Sequence, residues 1–167
     1  AEDTPDRVIG ACPECGAELV GREFDGRERG YCPDCERVRF RNAVPAAVAI
    51  VHGDGEVLLS EADTGWELPG GHPEYDEAPR AAAARELAEE TGLAARHDDL
   101  SLATVADSEH RDRHYVMIAY AVDRAAVDGD LRPGEEASAV AFHLLGRVLD
   151  GSTGRGIDRR LVRSWSG

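Results

Sequence analysis

Lysine is missing from the chain: all 19 basic residues are arginine, set against 33 aspartates and glutamates, for a formal net charge of −14. So acidic a surface repels phosphate backbones and anionic membranes at long range, which argues against non-specific binding to nucleic acid or lipid. No window reaches the ~18 apolar residues of a membrane-spanning helix, and no basic start, apolar run and small-residue cleavage site opens the chain. A soluble, cytoplasmic protein is the expectation. Large apolar side chains are also sparse: Leu 13, Ile 4, Val 14 and Phe 3 make 34 of 167 residues, near the lower compositional edge for a folded domain. Acidic excess, absent lysine and a small core rich in Val and Ala together predict a halophilic protein. In molar salt the Debye length shrinks to ~3 Å and self-repulsion is screened. The length allows one ordinary domain with a small appendage and excludes two full domains.

The four cysteines fall within the first 35 residues, as Cys12-Pro13-Glu14-Cys15 and Cys32-Pro33-Asp34-Cys35, with 16 residues between the pairs. Two C-x-x-C turns at this separation can close a tetrahedral thiolate shell at ~2.3 Å around Zn²⁺. Structural disulfides and a redox dithiol are the alternatives. The missing secretory signal weighs against the first, and the flanking glycines and the duplicated pair against the second. With four protein ligands the zinc is structural rather than catalytic. Gly21, Gly26 and Gly30 lie between the pairs, as a short hairpin requires. The unit, residues 8–41, resembles a zinc ribbon. Between Cys12 and Arg41 it carries seven acidic residues and six arginines, a near balance that gives no support to a nucleic-acid role.

Beyond residue 42, Ala46 to Val51 and Glu56 to Ser60 read as strands joined by the turn Gly53-Asp54-Gly55. Trp66 to Gly71 reads as a breaker cluster that ends regular structure. Pro79 to Thr91 is a run of helix formers, with proline at the start and Gly92 just past the end. At 100° per residue Glu86, Glu89 and Glu90 share an arc of about 100°, opposite Ala84, Leu87 and Ala88. Three carboxylates on one face near the negative end of a helix repel one another, unless a divalent cation such as Mg²⁺ binds them. A solvated acidic face is the alternative. Tyr115 to Val122 and Ala139 to Leu145 read as further strands, and Arg155 to Trp165 as a closing helix with Ile157, Leu161, Val162 and Trp165 inward.

From Gly71 the chain runs through five residues to Glu77, seven more to Arg85, and then Glu86-Leu87-Ala88-Glu89-Glu90-Thr91-Gly92-Leu93. These are nine fixed positions over 23 residues, and the segment resembles the Nudix box. The resemblance implies an α+β fold over residues 42–165, a Nudix α/β/α sandwich with a mixed sheet, preceded by the small four-cysteine ribbon. It implies a pyrophosphohydrolase that cleaves a nucleoside diphosphate linked to another moiety, using Mg²⁺ or Mn²⁺. Glu86 and Glu90 would be the main metal-binding carboxylates, with Glu89 as a further ligand or base and the Gly70 carbonyl as another metal oxygen. Arg85 would orient the carboxylates, and Glu77 would stabilise the loop-to-helix junction. Glu136, with Glu135 as its substitute, would add a ligand or general base. Asp76 and Ala78 stand where relatives often have a glycine and a Ser or Thr cap.

A zinc ribbon ahead of a Nudix domain resembles the NADH pyrophosphatases. The Ser-Gln-Pro-Trp-Pro-Phe-Pro tract of those enzymes is replaced here by Val105-Ala106-Asp107-Ser108-Glu109-His110, so an ADP-ribose-like substrate stands level with an NADH-like one. A non-catalytic nucleotide sensor with a partner-binding ribbon, and an RNA decapping enzyme, are the rival expectations. A homodimer is usual among such relatives.

Overall fold

The computed structural model describes residues 10–166, so residues 8 and 9 of the expected ribbon lie outside the described residues. The described residues divide into two compact units, one up to Asn42 and one from Ala43 onward.

The first unit is a three-stranded antiparallel sheet of β1 (Val20–Phe24), β2 (Arg27–Cys32) and β3 (Arg37–Arg39), in that order. The hairpin between β1 and β2 turns on Asp25 and Gly26, at φ 51° and 72°. Two positive φ values in succession match the right-handed twist of the flanking strands, and Asp-Gly is among the few pairs that adopt them cheaply.

The second unit is built on a mixed sheet. Its strands are β4 (Val44–Gly53), β5 (Glu56–Ala62), the short β6 (Gly65–Glu67) and β7 (Gly70–Gly71), and, further along, β9 (Ser101–His110), β10 (Arg113–Asp123) and β12 (Ala139–Leu144). The main order is β12-β5-β4-β10-β9, with β6 beside β5 and β7 beside β4. The β4–β10 pair is parallel and the other pairings are antiparallel. Two three-residue strands, β8 (Leu93–Ala95) and β11 (Val127–Gly129), pair separately. Trp66 to Gly71 thus does not end regular structure: the breaker residues supply two short strands, because Gly70 lies against Val48 and any Cβ there would collide with the β4 backbone.

The β4 run is apolar throughout because both its faces are covered. Ala47, Ala49 and Val51 pack with Leu58, Leu87, Tyr120 and Val122 beneath α1 (Pro79–Thr91). Ala46, Val48 and Ile50 pack on the other face with Leu59, Val148, Leu161 and Val162, where α2 (Leu145–Asp150) and α3 (Gly156–Ser166) lie. Helices on both faces of a mixed sheet make the expected α/β/α sandwich. Alanines at 46, 47, 49, 82 and 83 let these layers approach closely, which is how so small a stock of large apolar residues closes two cores.

Helix α1 has the bounds expected for it. Ala78 offers no side-chain cap, and Gly92 ends the helix at φ 72°, with its N–H donating to the Ala88 carbonyl. Asp76 is not among the residues at positive φ, so replacing glycine there costs no left-handed strain. The wheel errs at one position: Ala88 is exposed, and Ala82, Ala83, Leu87 and Thr91 are the buried face. No helix among the described residues is long and apolar enough to cross a membrane.

Candidate functional site

The four cysteines expected to ligate metal come together within the first unit. The Sγ atoms of Cys12, Cys15, Cys32 and Cys35 all lie within 4.8 Å of one another, with Cys12 to Cys35 at 3.9 Å and Cys15 to Cys32 at 3.5 Å. The edge of a tetrahedron with 2.3 Å metal–sulfur bonds is about 3.8 Å, so the cage fits Zn²⁺. Burial resists ionisation of Cys12, but the N–H groups of Cys15 and Glu14 and the Arg39 guanidinium outweigh it and lower its pKa to about 6. Cys35 is pushed up to about 12, first by the Cys15 thiol and then by burial and the other two sulfurs. Four thiolates so close are stable only around a cation, and Arg39 Nη2, 3.2 Å from Cys12 Sγ, supplies part of that charge.

The second site is a cleft of about 410 Å³ lined by Arg85, Glu86, Glu89, Glu90, Glu135 and Glu136. Two backbone devices assemble it. The strand β7 runs against β4, and Gly71 faces the Glu86 carboxylate so closely that a Cβ would collide with it. At the far end of α1 the last carbonyls have no partner within the helix. The chain at Arg132–Gly134 fills that need: Arg132 N–H donates to Thr91 at 2.9 Å and Gly134 N–H to Glu90 at 2.9 Å. That docking carries Glu135 and Glu136 to the cleft.

Among the described residues Arg85 is the only cation lining the cleft, and its fork is fully used, with one Nη2 hydrogen donated to the His72 carbonyl at 3.2 Å. Nη2 and Nε grip Glu77 at 2.9 and 3.0 Å, while Nη1 donates to Glu86 at 2.8 Å and to Glu89 at 3.0 Å. The Glu77 pair, foremost among these, holds the guanidinium firmly charged, and Arg85 in turn lowers the pKa of Glu77. Glu77 also accepts from the Glu74 N–H at 3.1 Å, so it ties down the turn ahead of α1 that Ala78 cannot cap.

Glu90 is held differently. Burial raises its pKa to about 7, against the donated bonds of Ser60 Oγ at 2.7 Å and Gly70 N–H at 3.2 Å and with the added repulsion of Glu67 and Glu86. Ser60 ends an apolar run in β5 and is 1% exposed. Beyond it, Arg155 pairs with Glu67 and with Asp158, whose side chain is fully buried at the start of α3. Neither Ser60 nor Arg155 was expected here. A lone polar residue closing an apolar strand was the available signal for Ser60, whereas Arg155 reads in the sequence only as the start of the closing helix.

The helix glutamates do not converge on one point. Among the described residues the cysteines are the only group of three or more ligand atoms within 4.8 Å, since Arg85 takes Glu86 and Glu89 while Ser60 and Gly70 take Glu90. Gly70 meets Glu90 here through its amide. Five carboxylates around one cleft are nonetheless a hard-oxygen donor set suited to Mg²⁺ or Mn²⁺. Tyr115 stacks on His72 and Trp66 meets His143 edge-on in this unit, whereas Phe24 and Phe40 meet each other in the first.

The NUDIX domain model matches residues 41–162, and the chain belongs to this family. It is 45% identical over 62 residues to a MutT-like protein of Streptomyces ambofaciens, covering 36% of this chain and 40% of that protein. Over 61 residues it is 41% identical to an RNA pyrophosphohydrolase of Roseobacter denitrificans, covering 34% and 37%. The chain thus spans about two fifths of the length of the curated relatives it matches. Among solved structures, a NUDIX hydrolase from Nitrosomonas europaea superposes with a TM-score of 0.73 at 23% identity, covering 93% of this chain and 89% of that one. The E. coli ORF135 protein superposes with a TM-score of 0.62 at 26% identity, covering 74% and 89%.

Proposed function

We propose that the chain is a metal-dependent pyrophosphohydrolase acting on a nucleoside diphosphate linked to another moiety, ADP-ribose-like or NADH-like. Residues 42–165 form the hydrolase domain and residues 8–41 a structural zinc ribbon. The observation that carries this reading is the opposition, across one cleft, of Glu86, Glu89 and Glu90 on α1 to Glu135 and Glu136, with Arg85 as the balancing cation among the described residues.

Glu86, Glu89, Glu90 and Glu136, with the Gly70 carbonyl, are the residues that would hold Mg²⁺ or Mn²⁺. The cation supplies neutralisation of phosphate charge and a lowered pKa for bound water. Arg85 fixes Glu86 and Glu89 in direction and leaves Glu77 as its own anchor. Ser60 and the Gly70 amide fix Glu90, whose half-buried carboxyl is ready to give up its proton when positive charge arrives. Glu89, 59% exposed at its side chain, and Glu136 are the carboxylates best placed to take a proton from attacking water.

The test is product release from ADP-ribose, NADH, diadenosine polyphosphates and nucleoside triphosphates with Mg²⁺ or Mn²⁺, before and after chelation. RNA carrying a 5′-triphosphate belongs in the same panel, because of the likeness to the Roseobacter enzyme. Turnover that vanishes with chelation and with Glu90→Gln supports the hydrolase. A folded, zinc-loaded protein that is silent throughout but binds nucleotide would make the chain a sensor.

A further inference from the structure

The near balance of acids and arginines in the first unit disappears once the strands are paired. Residues opposite one another on antiparallel strands share a face, and neighbours along a strand alternate. Arg22 lies opposite Arg29, Phe24 opposite Arg27, Val20 opposite Tyr31, and Tyr31 opposite Val38. Glu23 and Glu28 lie opposite each other on the other face, with Cys32 and Arg37. One face of the sheet therefore carries three arginines and no acidic residue within the paired strands.

Aromatic rings fill the same face. Phe40 follows Val38 in alternation, and its ring meets that of Phe24 edge-on at 6.2 Å. The Arg29 guanidinium lies 4.7 Å from the centre of the Phe40 ring, and that of Arg22 lies 4.6 Å from the centre of the Tyr31 ring. Phe24 and Phe40 are 41% and 53% exposed. Among the described residues Arg22, Arg27 and Arg29 form no ion pair, and Arg29 Nε has no hydrogen-bond partner. Like charges directly across a strand pair are destabilising. In a chain with 33 acidic residues, three arginines gathered without a carboxylate call for an anionic partner.

We propose that this face binds single-stranded nucleic acid, with bases stacked on Phe24, Phe40 and Tyr31 and phosphates paired by Arg22, Arg27 and Arg29. Unpaired bases stack on aromatic rings and guanidinium planes, while arginines track the backbone. A duplex hides its bases and presents only charge, which an acidic protein repels at long range. A single strand is the partner whose chemistry uses both halves of the face. The face shares no residue with the cleft on α1 and does not depend on the hydrolase reading.

The experiment measures fluorescence anisotropy of labelled oligouridylate and oligothymidylate, about 10 nucleotides long, with the zinc-loaded full chain. Circular dichroism and zinc content show that each variant is folded at the salt used. Both single strands should bind and a duplex of equal length should bind far less. Phe24→Ala and Phe40→Ala should each weaken binding about tenfold, and Glu23→Gln on the opposite face should leave it unchanged. With three phosphate contacts, log affinity should fall against log salt with a slope of about −2, and Arg22→Ala should make it shallower by about 0.7. Hydrolysis of a free nucleotide by these variants should match that of the parent, so failure of the hydrolase reading would show separately. Absence of binding by the folded parent, equal binding of duplex, or indifference to both phenylalanine changes would overturn the proposal. So would self-association that Phe40→Ala abolishes, because a second copy of the chain would then cover the face.

Discussion

Ser60 Oγ donates to the Glu90 carboxylate at 2.7 Å, joining the interior of β5 to the acidic face of α1. Burial raises the Glu90 pKa to about 7, above its ordinary value of 4.5, so the folded state favours the protonated carboxyl until a cation or a proton acceptor takes over. By linkage, a group with a raised folded pKa contributes stability that is fully present below the unfolded value. That contribution is lost as the pH climbs through the folded one.

Glu90→Gln should therefore stabilise the metal-free protein at pH 8 by about 1–3 kcal/mol and hardly at all at pH 4. Turnover should fall about 10²–10⁴-fold. Denaturant unfolding in chelator at both pH values, with steady-state kinetics in Mg²⁺, checks both halves.

Ser60→Ala removes a bond to the charged form of Glu90 and should raise its pKa further. The acid limb of the kcat/KM profile should move to higher pH, while activity at pH 9 stays near that of the parent. A profile that does not move would detach Ser60 from the site.

Arg85 serves three carboxylates through one planar fork, so Arg85→Lys keeps the charge and loses the geometry. On the proposed role of those carboxylates as metal ligands, turnover should drop about 10–100-fold. A matching rise in the Mg²⁺ concentration for half activity would place the loss in metal holding.

Asp158 is fully buried against Arg155, which also reaches Glu67. Asp158→Ala leaves that guanidinium short of its buried partner and should cost about 3 kcal/mol in urea unfolding. Asp158→Asn, which keeps hydrogen-bond acceptance, should cost less.

The excess of carboxylates over arginines predicts that thermal unfolding moves to higher temperature as KCl is raised to molar concentration. Differential scanning calorimetry across that range tests the halophilic reading. A flat response would show that self-repulsion contributes little.

Local chemistry made α1 of the second unit and the cysteine cluster of the first legible from the sequence. Pro79 and Gly92 bound α1 because proline suits a first turn and glycine a left-handed cap, and both act within a few residues of chain. Glu86, Glu89 and Glu90 were legible because helical spacing alone puts them on one arc, and the four cysteines because C-x-x-C turns are themselves local. Ala88 was misread because the wheel gives the arc and not the direction of the core, which the packing of Ala83 and Leu87 on β4 decides.

What required the tertiary structure is what depends on partners distant in sequence. The donor on Glu90 comes from 30 residues away, and Glu135 and Glu136 reach the cleft only because the carbonyls of Glu90 and Thr91 need the N–H groups of Gly134 and Arg132. In the first unit the sequence determined how many arginines and acids there are, and a count carries no side. Strand register decided which face each one occupies, because a shift of one residue would have sent every side chain to the other.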